Sequence, residues 1–90
     1  MFFENIHFIA HEVGGVRVLD LFAGSGALGF EAVSRGAAEA WLIESDPGQA
    51  RSLAESAGRL KLDNLQVRCT DALRYLADEG IGRFDLVFVD

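Results

Sequence analysis

Three glycines have the spacing of a nucleotide-binding loop. Gly24, Gly26 and Gly29 form a G-x-G-x-x-G pattern between a predicted strand and a predicted helix. In that position the first glycine allows a tight turn, the second lets the backbone approach a ligand, and the third lets the helix pack closely on the strand. The alternative is a purely structural turn from strand to helix. We favour a ligand-binding loop because the glycines lie between a strand and a helix, which is where a loop of this kind binds its ligand.

An acidic residue follows the loop at a second informative distance. Glu44 lies twenty positions after Gly24, at the predicted carboxyl end of the second strand. A carboxylate there can accept hydrogen bonds from both hydroxyls of a ribose. The two residues predict a nucleoside cofactor, but they do not distinguish a nicotinamide dinucleotide from S-adenosylmethionine.

Asp20, four residues before Gly24, bears on that choice. A carboxylate near the loop repels a pyrophosphate, whereas it attracts the ammonium and sulfonium groups of S-adenosylmethionine. Asp20 therefore favours S-adenosylmethionine and disfavours a nicotinamide-dependent oxidoreductase. The alternative for Asp20 is a carboxylate that ends a strand and accepts hydrogen bonds from loop amides.

Two more aspartates follow predicted strands. Asp71 opens the third of the helices that follow the glycine loop, as an N-cap whose carboxylate can also receive an adenine amino group. Asp90 ends the fourth strand, where open α/β sheets bind their ligands, and it is the candidate residue at the reacting centre. Cys69, at a strand end, is predicted to be a small buried apolar group. His7 and His11 have no evident third ligand, so we expect no metal site.

Strands and helices alternate along the chain to position these residues. Apolar spacing predicts an amphipathic helix over 2–13. Strands are predicted at 16–22, 39–44, 65–69 and 84–90. Helices are predicted from the glycine loop to near Gly36, from Asp46 to about Leu60, and from Thr70 or Asp71 to Gly80. This order predicts a single α/β domain over 1–90, a Rossmann-like doubly wound parallel sheet with strand order 3-2-1-4.

Finer features of these elements are also predicted. Asp46-Pro47-Gly48-Gln49 supplies an N-cap acceptor, a proline at the first helical position and a capping-box glutamine. The predicted apolar positions of the last two helices are Leu53, Ala57, Leu60, Leu73, Leu76 and Ala77. The fourth strand would be an edge with Phe84, Leu86 and Phe88 on one face, so we expect self-association through it or a missing C-terminal half.

Composition bounds the class of protein and its partners. The chain has 90 residues, of which 50% are hydrophobic and 24% charged, as in globular domains. A net charge of −6 disfavours binding of phosphate backbones by this chain alone. One cysteine excludes an intrachain disulfide, and we see no signal peptide and no apolar run long enough to span a membrane. We therefore expect a cytoplasmic location.

The runs VLDLFAGSGALGFEAVSRGAAEAWLIESD, TDAL and FDLVFVD, within residues 16–90, closely resemble bacterial small-subunit ribosomal RNA guanine-N2 methyltransferases. The resemblance implies a class I methyltransferase that uses S-adenosyl-L-methionine and has ribosomal RNA or the small-subunit particle as its partner. It implies that Asp20, Gly24 and Gly26 surround the methionine part. It also implies that Glu44 holds the ribose and that Asp71 with Ala72 brackets the adenine.

The resemblance also assigns the end of the chain. Asp90 would be the first residue of the family's Asp-Pro-Pro-Tyr or Asp-Pro-Pro-Phe motif, so we expect the N-terminal, cofactor-binding half of an incomplete class I fold. The alternatives are an adenine-N6 methyltransferase of DNA or RNA and a truncated, non-catalytic chain that binds a nucleoside. The expected catalytic residue is Asp90. The expected cofactor-binding residues are Asp20, Phe22, Gly24, Gly26, Glu44, Ser45, Asp71 and Ala72.

Overall fold

A computed structural model describes residues 15–78 and 84–89. Its elements are β1 (Arg17–Asp20), α1 (Ala27–Ser34), β2 (Glu39–Glu44), α2 (Pro47–Arg59), β3 (Leu65–Cys69), α3 (Ala72–Ala77) and β4 (Leu86–Phe88). The predicted order of strands and helices is confirmed over these residues, although β1 and β4 are shorter than 16–22 and 84–90. The helix predicted over 2–13 lies outside the described residues.

The four strands form one parallel sheet with the order β3-β2-β1-β4, which confirms the predicted doubly wound topology. In the register of the sheet, Asp20 lies opposite Leu42 of β2 and Phe88 of β4. Glu44 lies opposite Cys69 of β3. Because all four strands run in the same direction, their carboxyl ends lie at one edge of the sheet, where such folds bind ligands.

Helices α1 and α2 cover one face of the sheet and form the main core with it. The buried members of this core are Val18, Ala23, Ala32, Ala37, Ala40, Leu42, Leu53, Ala57 and Leu65. Gly29 of α1 lies so close to β2 that a Cβ built on it would be 2.9 Å from Cγ of Leu42. The predicted role of Gly29 in close packing of helix on strand is therefore confirmed. Leu60, by contrast, is 62% exposed because it is the C-cap of α2 and lies beyond its buried stripe.

The second face carries a smaller core under α3. Its buried members are Leu19, Leu21, Ile43, Ala72 and Tyr75. The short α3 turns Ala72 and Tyr75 toward the sheet. Leu73 and Leu76, which the sequence placed among the apolar positions of this helix, are exposed, Leu73 by 79%. Burial raises the pKa of the Tyr75 hydroxyl.

A row of side chains crosses this second face next to Tyr75. The Arg17 guanidinium lies 4.7 Å from the centre of the Phe84 ring and 2.9 Å from Oε1 of Glu39. The same oxygen of Glu39 accepts a hydrogen bond from Nε1 of Trp41 at 2.6 Å. The Arg68 guanidinium lies 4.6 Å from the centre of the Trp41 ring. The hydrogen bonds from Trp41 and Arg17 lower the pKa of Glu39.

Strand β4 is an edge of the sheet. Leu86 and Phe88 pack against the main core, whereas Phe84 precedes β4 and packs on the second face, so the predicted grouping of these three residues is wrong. Val87 and Val89 are exposed. Self-association through this edge stays a prediction. Among the helices at 15–78 and 84–89, none is long and apolar enough to cross a membrane.

We predict that Gly29→Ala destabilises the protein. The added methyl group would overlap Leu42, which is fully buried, and overpacking costs about 1–3 kcal/mol, more than the gain in helix propensity from alanine. Gly58→Ala in α2 is the matched control, since a Cβ there meets nothing within 4 Å and alanine stabilises an open helical site by about 0.5–1 kcal/mol. Urea unfolding measures both changes. Equal shifts for the two variants would contradict the packing argument.

We also predict that the stabilising effect of Glu39 depends on pH. Because its pKa in the folded protein is lower than the ordinary value of 4.5, its contribution is present above that value and is lost as the pH falls through the folded pKa. Glu39→Gln should therefore reduce the free energy of unfolding by about 1 kcal/mol at neutral pH, with the difference shrinking below about pH 4.5. Glu31→Gln, which removes an exposed ion pair with Arg35, should change it by less than about 0.5 kcal/mol. A Glu39 effect that stays constant down to about pH 3 would refute the assignment.

Candidate functional site

The glycine loop leaves the carboxyl end of β1 and is held by both neighbouring strands. The amide of Leu21 donates to the carbonyl of Phe88 at 3.1 Å, and the amide of Ala23 donates to the carbonyl of Ile43 at 3.0 Å. The loop therefore begins as an extension of the sheet. These two hydrogen bonds fix the position of the backbone that precedes Gly24, the first glycine of the loop.

Gly24 and Gly26 both have left-handed backbones, with φ of 54° and 84°. Such angles strain any residue with a Cβ, so both positions favour glycine. A Cβ on Gly26 would lie 2.9 Å from the Phe30 ring and 2.5 Å from Leu53, whereas one on Gly24 would meet nothing within 4 Å. The space over Gly24 is open. The predicted turn at Gly24 is confirmed by its backbone angle and by the hydrogen bond from the Gly26 amide to the Ala23 carbonyl. The missing side chain of Gly26 makes room for the protein's own Phe30 and Leu53.

Asp20 lies at the base of the loop and is 1% exposed. Its Oδ1 accepts a hydrogen bond from the amide of Phe22 at 3.3 Å, so it accepts from a loop amide, as the alternative interpretation proposed. The Asp20 carboxylate can accept this hydrogen bond and still contribute a negative electrostatic potential around the loop. Phe22 itself is 52% exposed.

Glu44 joins the glycine loop to the end of β2. Its Oε1 accepts from the amide of Gly24 at 2.9 Å, and its Oε2 accepts from the amide of Asp46 at 3.0 Å. The predicted pair of Glu44 and Gly24 is therefore in direct contact. Each carboxylate oxygen can accept two hydrogen bonds, so Glu44 retains acceptor capacity for a ligand hydroxyl at both oxygens. Ser45, the next residue, is exposed.

The end of β3 brings Asp71 to the same edge. The amide of Thr70 donates to the carbonyl of Glu44 at 3.2 Å. Asp71 is the N-cap of α3, and its Oδ1 accepts from the amide of Arg74 at 2.9 Å. The predicted N-cap is confirmed, with Asp71 and not Thr70 in the capping role. Ala72, which follows it, is buried.

Two residues near this edge differ from their predictions. Gln49 was predicted to complete a capping box, but its Nε2 donates to the carbonyl of Gly24 in the loop. The other half of the cap is confirmed, since Asp46 accepts from the amide of Gln49 at 2.8 Å. Cys69 is exposed rather than buried, because it is the last residue of the edge strand β3, and its Sγ lies 3.8 Å from the carbonyl oxygen of Ser45.

The role of Gln49 was missed because the capping box explained its position locally. A signal was present in the sequence: a second acidic residue, Glu44, lies near the same helix start and can take the amide of Asp46 that the box assigns to the glutamine. Asp90, His7 and His11 lie outside the described residues. Within the described part of the chain, no group of three or more His, Cys, Asp or Glu side chains could hold a metal ion.

The arrangement suits a ligand that carries hydroxyls and positive charge. Open space lies over Gly24, and the Glu44 carboxylate borders it through its bond to the Gly24 amide. Among the described residues, the strand ends and turns at this edge carry the carboxylates of Asp20, Glu44, Asp46 and Asp71. Such a site disfavours a pyrophosphate and favours a cation. The residues present therefore fit S-adenosylmethionine.

Comparison with known proteins supports this assignment. The family model described as conserved hypothetical protein 95 matches residues 2–90. A curated relative from Escherichia coli K12, ribosomal RNA small subunit methyltransferase D, is 42% identical over 84 residues, which cover 93% of this chain and 42% of the relative. The protein of the same name from Buchnera aphidicola is 36% identical over 74 residues, or 82% of this chain and 39% of the relative. The resemblance stated from the sequence is confirmed, and the chain spans less than half the length of these relatives.

Solved structures agree on the fold. The Escherichia coli protein yhhF has a TM-score of 0.90 and 40% identity over 97% of this chain and 48% of its own. Trypanosoma brucei PRMT1, solved in complex with AdoHcy, has a TM-score of 0.82 at 15% identity, covering 96% of this chain and 27% of its own. The second likeness concerns the fold alone. The class I methyltransferase fold predicted from the sequence is confirmed.

We predict that Gly26→Ala destabilises the protein more than Gly24→Ala. Both substitutions force alanine into a left-handed backbone at a cost of about 1 kcal/mol, but the Gly26 variant also drives a methyl group into Phe30 and Leu53. We expect losses of about 1 kcal/mol for Gly24→Ala and about 2–4 kcal/mol for Gly26→Ala. Thermal or urea unfolding measures the difference. A larger loss of stability in Gly24→Ala than in Gly26→Ala would contradict the assignment of open space over Gly24.

Proposed function

This chain belongs to the conserved hypothetical protein 95 family, and from that membership we propose that it carries the S-adenosylmethionine site of a methyltransferase acting on small-subunit ribosomal RNA. The hydrogen bond from the Gly24 amide to Glu44 is the observation that carries this proposal. It joins the glycine loop and the ribose-binding candidate into one site beside open space. The substrate class comes from the curated relatives, which are named ribosomal RNA small subunit methyltransferases.

We assign the parts of the cofactor to the site as follows. Glu44 would accept the ribose hydroxyls through its remaining lone pairs, with Ser45 beside it. Asp20, Phe22, Gly24 and Gly26 would form the methionine side, where the buried carboxylate of Asp20 favours the positive charge of the cofactor. Asp71, with Ala72, would border the adenine. Asp71 can serve as N-cap and ligand at once, because its Oδ1 accepts from Arg74 and its other oxygen can accept the adenine amino group.

S-adenosylmethionine, when bound, supplies an electrophilic methyl group on a sulfonium. The work left to the protein is to position the acceptor in line and to exclude water. We propose the exocyclic N2 of a guanine as that acceptor, as the resemblance to guanine-N2 methyltransferases implies. The lone pair of this amine is delocalised into the ring, so a carboxylate that accepts its N–H raises the electron density on nitrogen.

Asp90 is the proposed acceptor of that N–H. In the sequence it directly follows Val89, and the described strand β4 ends at Phe88, at the edge where Glu44 and Asp71 lie. An rRNA substrate also implies a cytoplasmic reaction. The net charge of −6 leaves little attraction for RNA on this chain, so we assign the RNA-binding surface to other parts of the complete protein.

We predict that the protein binds S-adenosylhomocysteine and that Glu44→Gln weakens the binding at least about tenfold, because a hydrogen bond to a charged group contributes about 1.5–3 kcal/mol. Calorimetric titration measures the affinity, and Asp71→Ala should weaken it as well. Glu55→Gln, which removes an exposed carboxylate in the second half of α2, is the matched control and should bind like the unmodified protein. Tight NADH binding without S-adenosylhomocysteine binding would refute the proposal in favour of an oxidoreductase.

The acceptor is tested separately in the complete protein. With labelled S-adenosylmethionine and small-subunit RNA or particles as substrate, nucleoside analysis should show N2-methylguanosine. N6-methyladenosine would refute the guanine assignment and support the adenine-N6 alternative. Binding of the cofactor without methyl transfer to either substrate would contradict the proposed activity but not the cofactor site.

A further inference from the structure

Four residues around the glycine loop form a closed ring of hydrogen bonds. The amide of Gly24 donates to Oε1 of Glu44 at 2.9 Å, and Oε2 of Glu44 accepts from the amide of Asp46 at 3.0 Å. Oδ2 of Asp46 accepts from the amide of Gln49 at 2.8 Å. The side-chain amide of Gln49 then donates to the carbonyl of Gly24 and closes the ring. The peptide groups on both sides of Gly24 are thus held by side chains from outside the loop.

The ring forms because the side chain of Gln49 does not bond to its expected capping-box partner at the start of α2. A capping-box glutamine would turn back to the amide of its N-cap, here Asp46. Glu44 already accepts from that amide, so the Gln49 side chain reaches the loop instead. The contact ties the first turn of α2 to a loop that lies 25 residues away in the sequence.

From this geometry we infer that Gln49 is a positioning residue for the cofactor site, a role that rests on the proposed function. Gly24 has a left-handed backbone and lies beside open space, so packing of its own atoms does little to hold it. The bond from Gln49 fixes the Gly24 carbonyl, and the bond to Glu44 fixes its amide. Gln49 therefore holds the loop and, through Gly24, the Glu44 carboxylate in the arrangement that receives the ligand. A site ordered in advance binds more tightly because less ordering remains to occur on binding.

The test compares variants that differ in one hydrogen bond. Gln49→Met has a similar length and helix propensity but no donor, and Gln49→Glu has the same shape and no donor at neutral pH. Gln66→Met is the matched control, since the Gln66 amide also donates to a backbone carbonyl, that of Asp63, on the edge strand β3. Circular dichroism and thermal unfolding establish that each variant is folded.

Two readouts test the inference. The amides of Gly24 and Gly26 donate to Glu44 and to the Ala23 carbonyl, so their hydrogen exchange should quicken in both Gln49 variants and stay unchanged in Gln66→Met. The affinity for S-adenosylhomocysteine should fall about 3- to 10-fold in Gln49→Met, the effect of one neutral hydrogen bond, whereas Gln49→Glu is judged by exchange alone because its added charge also acts on the ligand. The loop readout does not require ligand, so it separates this inference from the proposed function.

The outcomes are distinguishable. Unchanged exchange at Gly24 in Gln49→Met overturns the inference, and so does faster exchange at the loop in the Gln66 control. A loss of affinity without a change in exchange also overturns it, because Gln49 would then act by contacting the ligand. Faster exchange together with no binding of S-adenosylhomocysteine by the unmodified protein supports the role of Gln49 in ordering the loop and refutes the proposed cofactor.

Discussion

The burial of β1 between two strands and two layers of side chains is the constraint on which the site depends. Val18, Leu19 and Asp20 are almost wholly buried, and backbone pairing to β2 and β4 fixes the strand on both sides. The glycine loop starts where this strand ends. Because Leu21 and Ala23 continue the backbone bonds to the neighbouring strands, the rigidity of the sheet extends into the loop up to its first glycine.

The two faces of the sheet are covered by different kinds of side chain. On the face covered by α1 and α2, small residues such as Gly29 let a helix approach the sheet closely, and the core there is apolar. On the other face, charged and aromatic side chains share the area beside α3, with Glu39 between Arg17 and Trp41. Guanidinium groups stacked on aromatic rings keep contact with water on one side while covering apolar surface on the other. Within the residues that the structure describes, these stacked side chains cover the apolar surface beside α3.

The sequence predicted the order and type of the elements, because the apolar runs, the glycines and the N-caps each act locally. It also placed Glu44 at the carboxyl end of a strand near the glycine loop, because parallel strands bring their carboxyl ends together, and the structure joins Glu44 to Gly24 by a hydrogen bond. The predictions from the sequence failed where a side chain could contact more than one partner. Gln49 bonds to the loop and not to its own helix, and a side chain on Gly26 would meet Leu53 and Phe30. Such choices depend on how α2 packs against the glycine loop, a contact between distant parts of the sequence that no local pattern records.

Sequence patterns also predicted the burial of several side chains wrongly. Leu60 and Leu73 fit a helical stripe but lie outside the contact area, because α2 ends before the first and α3 is short. Cys69 fits a strand but ends an edge strand, where a side chain has a neighbouring strand on one side alone. The ends of elements and the edges of sheets are therefore where an apolar residue type is a weak guide to its surroundings.

The exposure of Cys69 has a practical consequence for the oligomeric state of the protein. The sequence contains one cysteine, and its thiol is accessible at the edge of the sheet. In air, two such thiols on separate molecules can oxidise to a disulfide that links a covalent dimer. A dimer that disappears on addition of a reducing agent would arise from this thiol, whereas one that persists would arise from the surface of the fold. Size-exclusion chromatography with and without reductant therefore separates the two kinds of dimer.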